Sequence, residues 1–188
     1  MRYWIMLLLA TIGLLQGCVA PVVAAGVGAG MMVSSDRRSA GAIVEDDTIE
    51  SKAQKRIEEK YKDTAHASVT AYNRFALVTG TATSEAIKMD IERIVGAIPN
   101  VKGIANELVV GNPATIGAST GDSRITGNVK MRFVKSPAFK ADHVKVVTEN
   151  GVVYLMGLVT RAEADAASDI ASTTANVQKV VRVFEYID

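Results

Sequence analysis

Few residues of this sequence belong to the types that do covalent, acid–base or metal chemistry, and their spacing narrows the choice further. Cys18 is the only cysteine among 188 residues, which excludes a disulfide framework, a Cys-rich zinc site and a CxxC redox pair. His66 and His143 stand 77 positions apart, without a second ligand or an acid at a matching offset, and read as plain loop histidines. Glu45-Asp46-Asp47 could hold a cation or move a proton in another context; at a helix start it reads as a solvated acidic run. Ser34, Ser35 and Ser168 have no histidine and acid arranged to activate them. Tyr154 and Met156 share one strand face and read as packing. No catalytic set emerges, so the expectation is a non-enzyme with no metal and no dissociable cofactor.

Composition agrees with a binding or structural role. The chain carries 21 Lys+Arg against 20 Asp+Glu, a net charge of +1, so no global field draws it to nucleic acid. Apolar residues make up 48% and aromatics 5%, enough for a core of Val, Ile, Leu and Ala. Arg2 precedes an uncharged run from Tyr3 to Leu15 that ends in Leu15-Gln16-Gly17-Cys18, the charged start, apolar middle and small-residue end of a secretory leader. Those four residues resemble a bacterial lipobox. The resemblance implies cleavage before Cys18 and covalent N-acyl and S-diacylglycerol groups on it. A rival, one membrane-spanning helix through the uncharged stretch from Tyr3 to Ser35, is opposed by Pro21 and by Gly26-Val27-Gly28-Ala29-Gly30. That glycine run also lacks the preceding strand and spaced third glycine of a dinucleotide loop, and reads as a flexible apolar tether. Val19, where enteric-type lipoproteins retained in the inner membrane often carry Asp, implies the periplasmic face of the outer membrane.

The elements that must position any site come from an internal repeat at an offset of 76 to 77. Ile49, Ala53 and Ile57 match Ile125, Val129 and Phe133 at the i, i+4, i+8 spacing of a buried helical stripe. Asp47 with Glu50 has capping-box spacing, and Asp122-Ser123 offers capping side chains before the second helix. Val69 to Gly80 and Val146 to Gly157 read as hairpins around Asn-containing turns, Asn150-Gly151 being a strong type I′ signal. Gly80 and Gly157 are expected to relieve crowding against a helix. Helices follow at Ser84 to Ala97 and Arg161 to Thr174, the second opened by a Thr160/Glu163 capping box. Strands at Ile104 to Val110 and Val180 to Ile187 close the copies. The predicted class is α+β: two tandem α-β-β-α-β modules, each a three-stranded mixed sheet with two helices over one face.

Asn73 to Gly80 with Val101 to Val110, and Glu149 to Thr160 with Val177 to Phe184, carry a resemblance to the BON domain. With the lipobox and Asp36-Arg37-Arg38-Ser39-Ala40-Gly41, the chain resembles the dual-BON outer-membrane lipoproteins. The implied organisation is a leader over 1–17, lipidated Cys18 and tether over 18–45, a first BON domain over 46–111, a linker over 112–121 and a second BON domain over 122–188. The resemblance implies a non-enzymatic protein that binds anionic phospholipid (phosphatidylglycerol, cardiolipin), supports outer-membrane integrity and gathers at division sites. It also implies help to the outer-membrane protein assembly machinery, and the rival reading is an adaptor for that machinery, docked through the sheet faces or the groove between modules. In the resembled proteins lipid contact centres on the first helix of the second module. Here Ile125, Val129 and Phe133 face the core, leaving Arg124, Gly127, Met131, Val134 and Lys135 outward with Asn128 and Lys130 beside them. Met131 and Val134 would enter the acyl boundary while Arg124, Lys130 and Lys135 meet phosphates. Arg124 stands where the resembled proteins carry a membrane-inserting tryptophan; the only Trp here is Trp4, in the leader.

Overall fold

The computed structural model describes residues 36–111 and 116–188, with side chains from residue 121 onward in the second stretch. The leader, Cys18, Ser34, Ser35 and the glycine run lie outside the described residues, as does the rival membrane-spanning segment. No helix among the described residues is long and apolar enough to cross a membrane.

The first module runs α1 (Ala40–Tyr61), β1 (Ala65–Tyr72), β2 (Phe75–Ala82), α2 (Glu85–Gly96), β3 (Gly103–Asn106) and β4 (Val109–Val110). The second runs α3 (Ile116–Lys135), a 3₁₀ turn (Ala141–His143), β5 (Val144–Glu149), β6 (Val152–Val159), α4 (Arg161–Ser172) and β7 (Lys179–Tyr186). In each module the hairpin is antiparallel, and the last strand pairs parallel to the hairpin's second strand. β3 and β4 keep one register on β2, Phe75 opposite Gly103 and Thr81 opposite Val109. They are one strand interrupted where Leu108 turns into the core, in contrast to the continuous strand expected.

Both opening helices start earlier than the sequence reading places them. The Ser39 hydroxyl accepts the Ala42 amide at 3.1 Å and caps α1, so residues 40–45, assigned to the tether, are helical. Ala42 extends the buried stripe by two turns; alanine adds little hydropathy, which hid it, yet it is the best helix former. Asp47 and Glu50 are therefore interior residues and not a capping box. Likewise α3 begins at Ile116, inside the segment assigned as a linker over 112–121. Extending an existing helix costs less than nucleating one, so the amphipathic stretch after Asp122 can carry the weak formers before it.

Asp46 and Asp122, equivalent in the repeat, do something the sequence reading missed. Asp46 is 2% exposed and accepts the Asn73 and Arg74 amides at 2.8 and 2.6 Å. Asp122, 8% exposed, accepts the Asn150 and Gly151 amides at 2.7 and 2.8 Å. All four turn residues have positive φ, as a type I′ turn requires. One buried carboxylate thus fastens each hairpin turn to its opening helix. The acidic run is not a solvated one at Asp46, which also pairs with Arg38 at 2.8 Å, and Asp122 serves the turn rather than an N-cap. The two glycines meet backbone of the neighbouring hairpin strand or the turn before it, not the long helices: a Cβ on Gly80 would lie 2.0 Å from the carbonyl oxygen of His66 in β1, and one on Gly157 2.4 Å from that of His143, at the end of the 3₁₀ turn.

Each module buries its own core between helices and sheet. A third cluster, Tyr72 and Leu77 with Tyr154, Met156 and Leu158, joins the sheet faces that the helices leave open. This explains the uninterrupted apolar run of β6. Its outer residues meet helices and its inner ones meet the other module, so neither face sees water.

Candidate functional site

On α3 the period of 3.6 residues sorts the side chains sharply. Ile125, Val129 and Phe133 are buried, and Thr126 donates to the Thr148 hydroxyl at 2.7 Å, which fixes the rotation of the helix on β5. The opposite side carries Met131 at 57% and Val134 at 75% exposure. Arg124, Gly127, Lys130 and Lys135 are exposed around them, and Asn128 is half-buried at the flank. A Cβ on Gly127 would meet nothing within 4 Å, so this part of the helix is bare. No carboxylate occurs between Ser123 and Lys135. Among the described residues, Arg124, Lys130 and Lys135 make no ion pair. Arg132 is different: it donates to the Ile170 carbonyl and to the Thr174 and Thr173 hydroxyls at 2.7, 2.7 and 3.0 Å, tying α3 to the end of α4. The seven residues expected at the site thus lie together on one cationic, partly apolar face. Large apolar side chains this exposed, flanked by cations without counter-ions, suit a surface that is itself apolar below and anionic above.

The seam between modules adds charged ties that the sequence reading did not find. Arg37 donates to both Glu163 oxygens, at 2.6 and 2.8 Å, and to the Leu158 carbonyl at 2.8 Å. Its guanidinium is the main reason that the Glu163 carboxyl falls to about 2, helped by the Thr160 amide at the head of α4. Lys145 donates to Glu50 at 2.9 Å and to the Ala71 carbonyl at 3.2 Å, and Asn73 donates to Glu185 at 2.7 Å. Arg37 lies just before α1 of the first module, yet it is clasped to the second.

The remaining candidates are structural. His66 lies exposed within β1, not before it. His143 is 7% exposed, and its Nδ1 has no hydrogen-bond partner among the described residues, with Glu163 at 3.5 Å; it is a seam residue and not a loop histidine. Ser168 is buried and donates to the Ala164 carbonyl at 2.7 Å. Tyr154 packs in the seam, and burial, with Glu107 and Glu149 adding to it, pushes its phenol up to about 12.

The fold and this face define a class: paired α+β modules, their sheets turned on each other and one helix left cationic. The family model for the BON domain matches residues 45–112 and 121–188. The chain belongs to the BON-domain family, as a two-module member of the outer-membrane lipoprotein group. It is 37% identical over 176 residues to the outer membrane lipoprotein DolP of Haemophilus influenzae, covering 93% of this chain and 91% of that one. It is 33% identical to the 21 kDa hemolysin of Actinobacillus pleuropneumoniae, over 81% and 79% of the two chains. It is 26% identical to the osmotically-inducible protein Y of Escherichia coli, over 81% and 78%.

Proposed function

We propose that the protein binds anionic phospholipid, phosphatidylglycerol or cardiolipin, through the outer face of α3, and that this supports outer-membrane integrity and its concentration at division sites. The observation that carries the reading is the set of three cations around Met131 and Val134 that make no ion pair among the described residues, on a stretch of helix without a carboxylate. Each basic residue near an anionic bilayer contributes about 1 kcal/mol, so the three give weak, salt-sensitive attachment. Acyl chains on Cys18 supply the lasting anchor and keep the local concentration high. The adaptor reading loses one of its two surfaces, because the sheet faces are packed on each other; attachment to the outer-membrane protein assembly machinery would then have to use the helices or the seam.

Co-sedimentation tests the proposal. The chain from residue 18 with Cys18→Ser is expected to pellet with phosphatidylglycerol or cardiolipin vesicles and not with phosphatidylcholine. Arg124→Glu with Lys135→Glu is expected to lower binding at least about tenfold, equivalent to roughly 1.4 kcal/mol. Equal pelleting with neutral vesicles, unchanged by the charge reversal, would remove α3 as the site.

A further inference from the structure

Beside the outer face of α3, the seam between the modules opens into a cavity of about 360 Å³, within the range of roughly 300–1,000 Å³ that small-ligand sites occupy. Three cations line it: Lys130 and Lys145 from the second module and Arg38 from the first. Asp142 is its one lining carboxylate. Asp46 and Glu50, which pair with Arg38 and Lys145 at 2.8 and 2.9 Å, do not line it. Two of the three lining cations are thus held by carboxylates outside the lining. Lys145 spends two of its three N–H groups on Glu50 and the Ala71 carbonyl, and Lys130 is exposed without an ion pair among the described residues. Arg38 is also held over the Tyr72 ring, 4.2 Å from its centroid, which fixes its plane. The remaining wall is hydrocarbon, Phe133, Val134, Ala141 and Val144. Val134, at 75% exposure, carries that wall out onto the face assigned to the bilayer.

We infer that this seam cavity is a headgroup subsite for a phosphodiester monoanion bearing a small hydroxylated substituent, with both modules contributing to it. The inference rests on the proposed lipid-facing role of α3 and extends it. The outer face reads charge and apolar depth alone, whereas the cavity, lined by both cationic donors and hydrocarbon, reads the headgroup. Discrimination among anionic lipids of equal charge is thereby a property of the two modules together, and Arg38 is its contribution from the first.

The test is NMR shift mapping of the chain from residue 18 with Cys18→Ser, titrated separately with water-soluble glycerophosphoglycerol and with phosphatidylglycerol bicelles. Saturable shifts at Tyr72, Lys130 and Val144 are expected from both probes. Ala141→Trp, which fills the cavity without altering charge, should abolish them. In case that variant fails to fold, Lys130→Gln, at an exposed side chain, should weaken glycerophosphoglycerol binding at least about threefold. Wild-type protein should also prefer phosphatidylglycerol to phosphatidylserine vesicles of equal charge, a preference that either variant reduces. Shifts from the soluble probe without vesicle binding would support the subsite, assign its ligand to a soluble phosphodiester and count against the bilayer reading of α3. Vesicle binding with no shift at the three reporters from either probe, and no headgroup preference, would overturn the subsite and leave the α3 reading standing.

Discussion

The opening helices of the two modules share a buried stripe and differ almost completely on the other side. Between residues 46 and 59, α1 carries five carboxylates and three cations; between 122 and 135, α3 carries one carboxylate, the buried Asp122, and four cations. The pairing shows what this means. On α1, Lys55 and Glu59 lie 3.9 Å apart, and Gln54 donates to Glu58 at 3.0 Å. The equivalent positions on α3 are Met131 with Lys135 and Lys130 with Val134. The first helix answers its own polar groups one turn away, as an exposed surface does. The second leaves Arg124, Lys130 and Lys135 without an ion pair among the described residues, beside exposed hydrocarbon, an arrangement that suits contact with something else. Under the proposed function, one backbone repeat serves as support in one copy and as contact surface in the other.

The largest effect expected is on what the helices share. Asp46→Ala removes the partner of two turn amides and of the half-buried Arg38 guanidinium and should cost about 3–4 kcal/mol. Asp122→Ala removes two turn amides and no ion pair and should cost about 2–3 kcal/mol. Urea denaturation followed by circular dichroism compares the two, and equal losses would show that the Arg38 pair adds nothing. Next in size is a transplant. Met131→Lys, Val134→Glu and Lys135→Glu write the α1 surface onto α3 and should reduce phosphatidylglycerol vesicle binding by about tenfold or more with little change in stability. The reverse set, Lys55→Met, Glu58→Val and Glu59→Lys, gains two units of positive charge and should raise vesicle binding by about tenfold or more, at roughly 1 kcal/mol for each unit. No gain would mean that the position of the second module, and not the helix surface alone, confers the function.

The smallest expected effect concerns the clasp between modules. The Glu163 carboxyl is lowered from 4.5 to about 2 in the fold, chiefly by Arg37. A group depressed on folding stabilises fully above its unfolded value and loses that stabilisation as pH falls through its folded one. The Arg37–Glu163 tie is therefore complete above about pH 5 and fades between about pH 4.5 and 2. Arg37→Gln should return the Glu163 carboxyl toward its ordinary value and remove that part of the acid dependence. Following the Glu163 side-chain carbon by NMR checks this directly, and an unchanged titration in the variant would show that the Thr160 amide alone sets it.

Periodicity in the sequence determined the two modules, their element order and the face of α3 that points outward, because these follow from side-chain spacing along single elements. The Thr160/Glu163 capping box and the Asn150-Gly151 turn are local in the same way and formed as expected. Early helix starts at Ala40 and Ile116 were illegible because alanine and glycine leave little hydropathic signal. The clamps at Asp46 and Asp122 were legible in principle: two aspartates at equivalent repeat positions, each 27 or 28 residues before a turn asparagine, are a pattern that self-comparison contains. What only tertiary structure decided is which surfaces meet. The packing of Leu77 and Tyr72 on Tyr154 and Met156, the clasp of Arg37 on Glu163, and the convergence of Arg38 with Lys130 and Lys145 join residues about 75 to 125 positions apart. Nothing along the chain encodes such meetings, because they depend on the shape and charge of two finished modules, complementary only once each has folded.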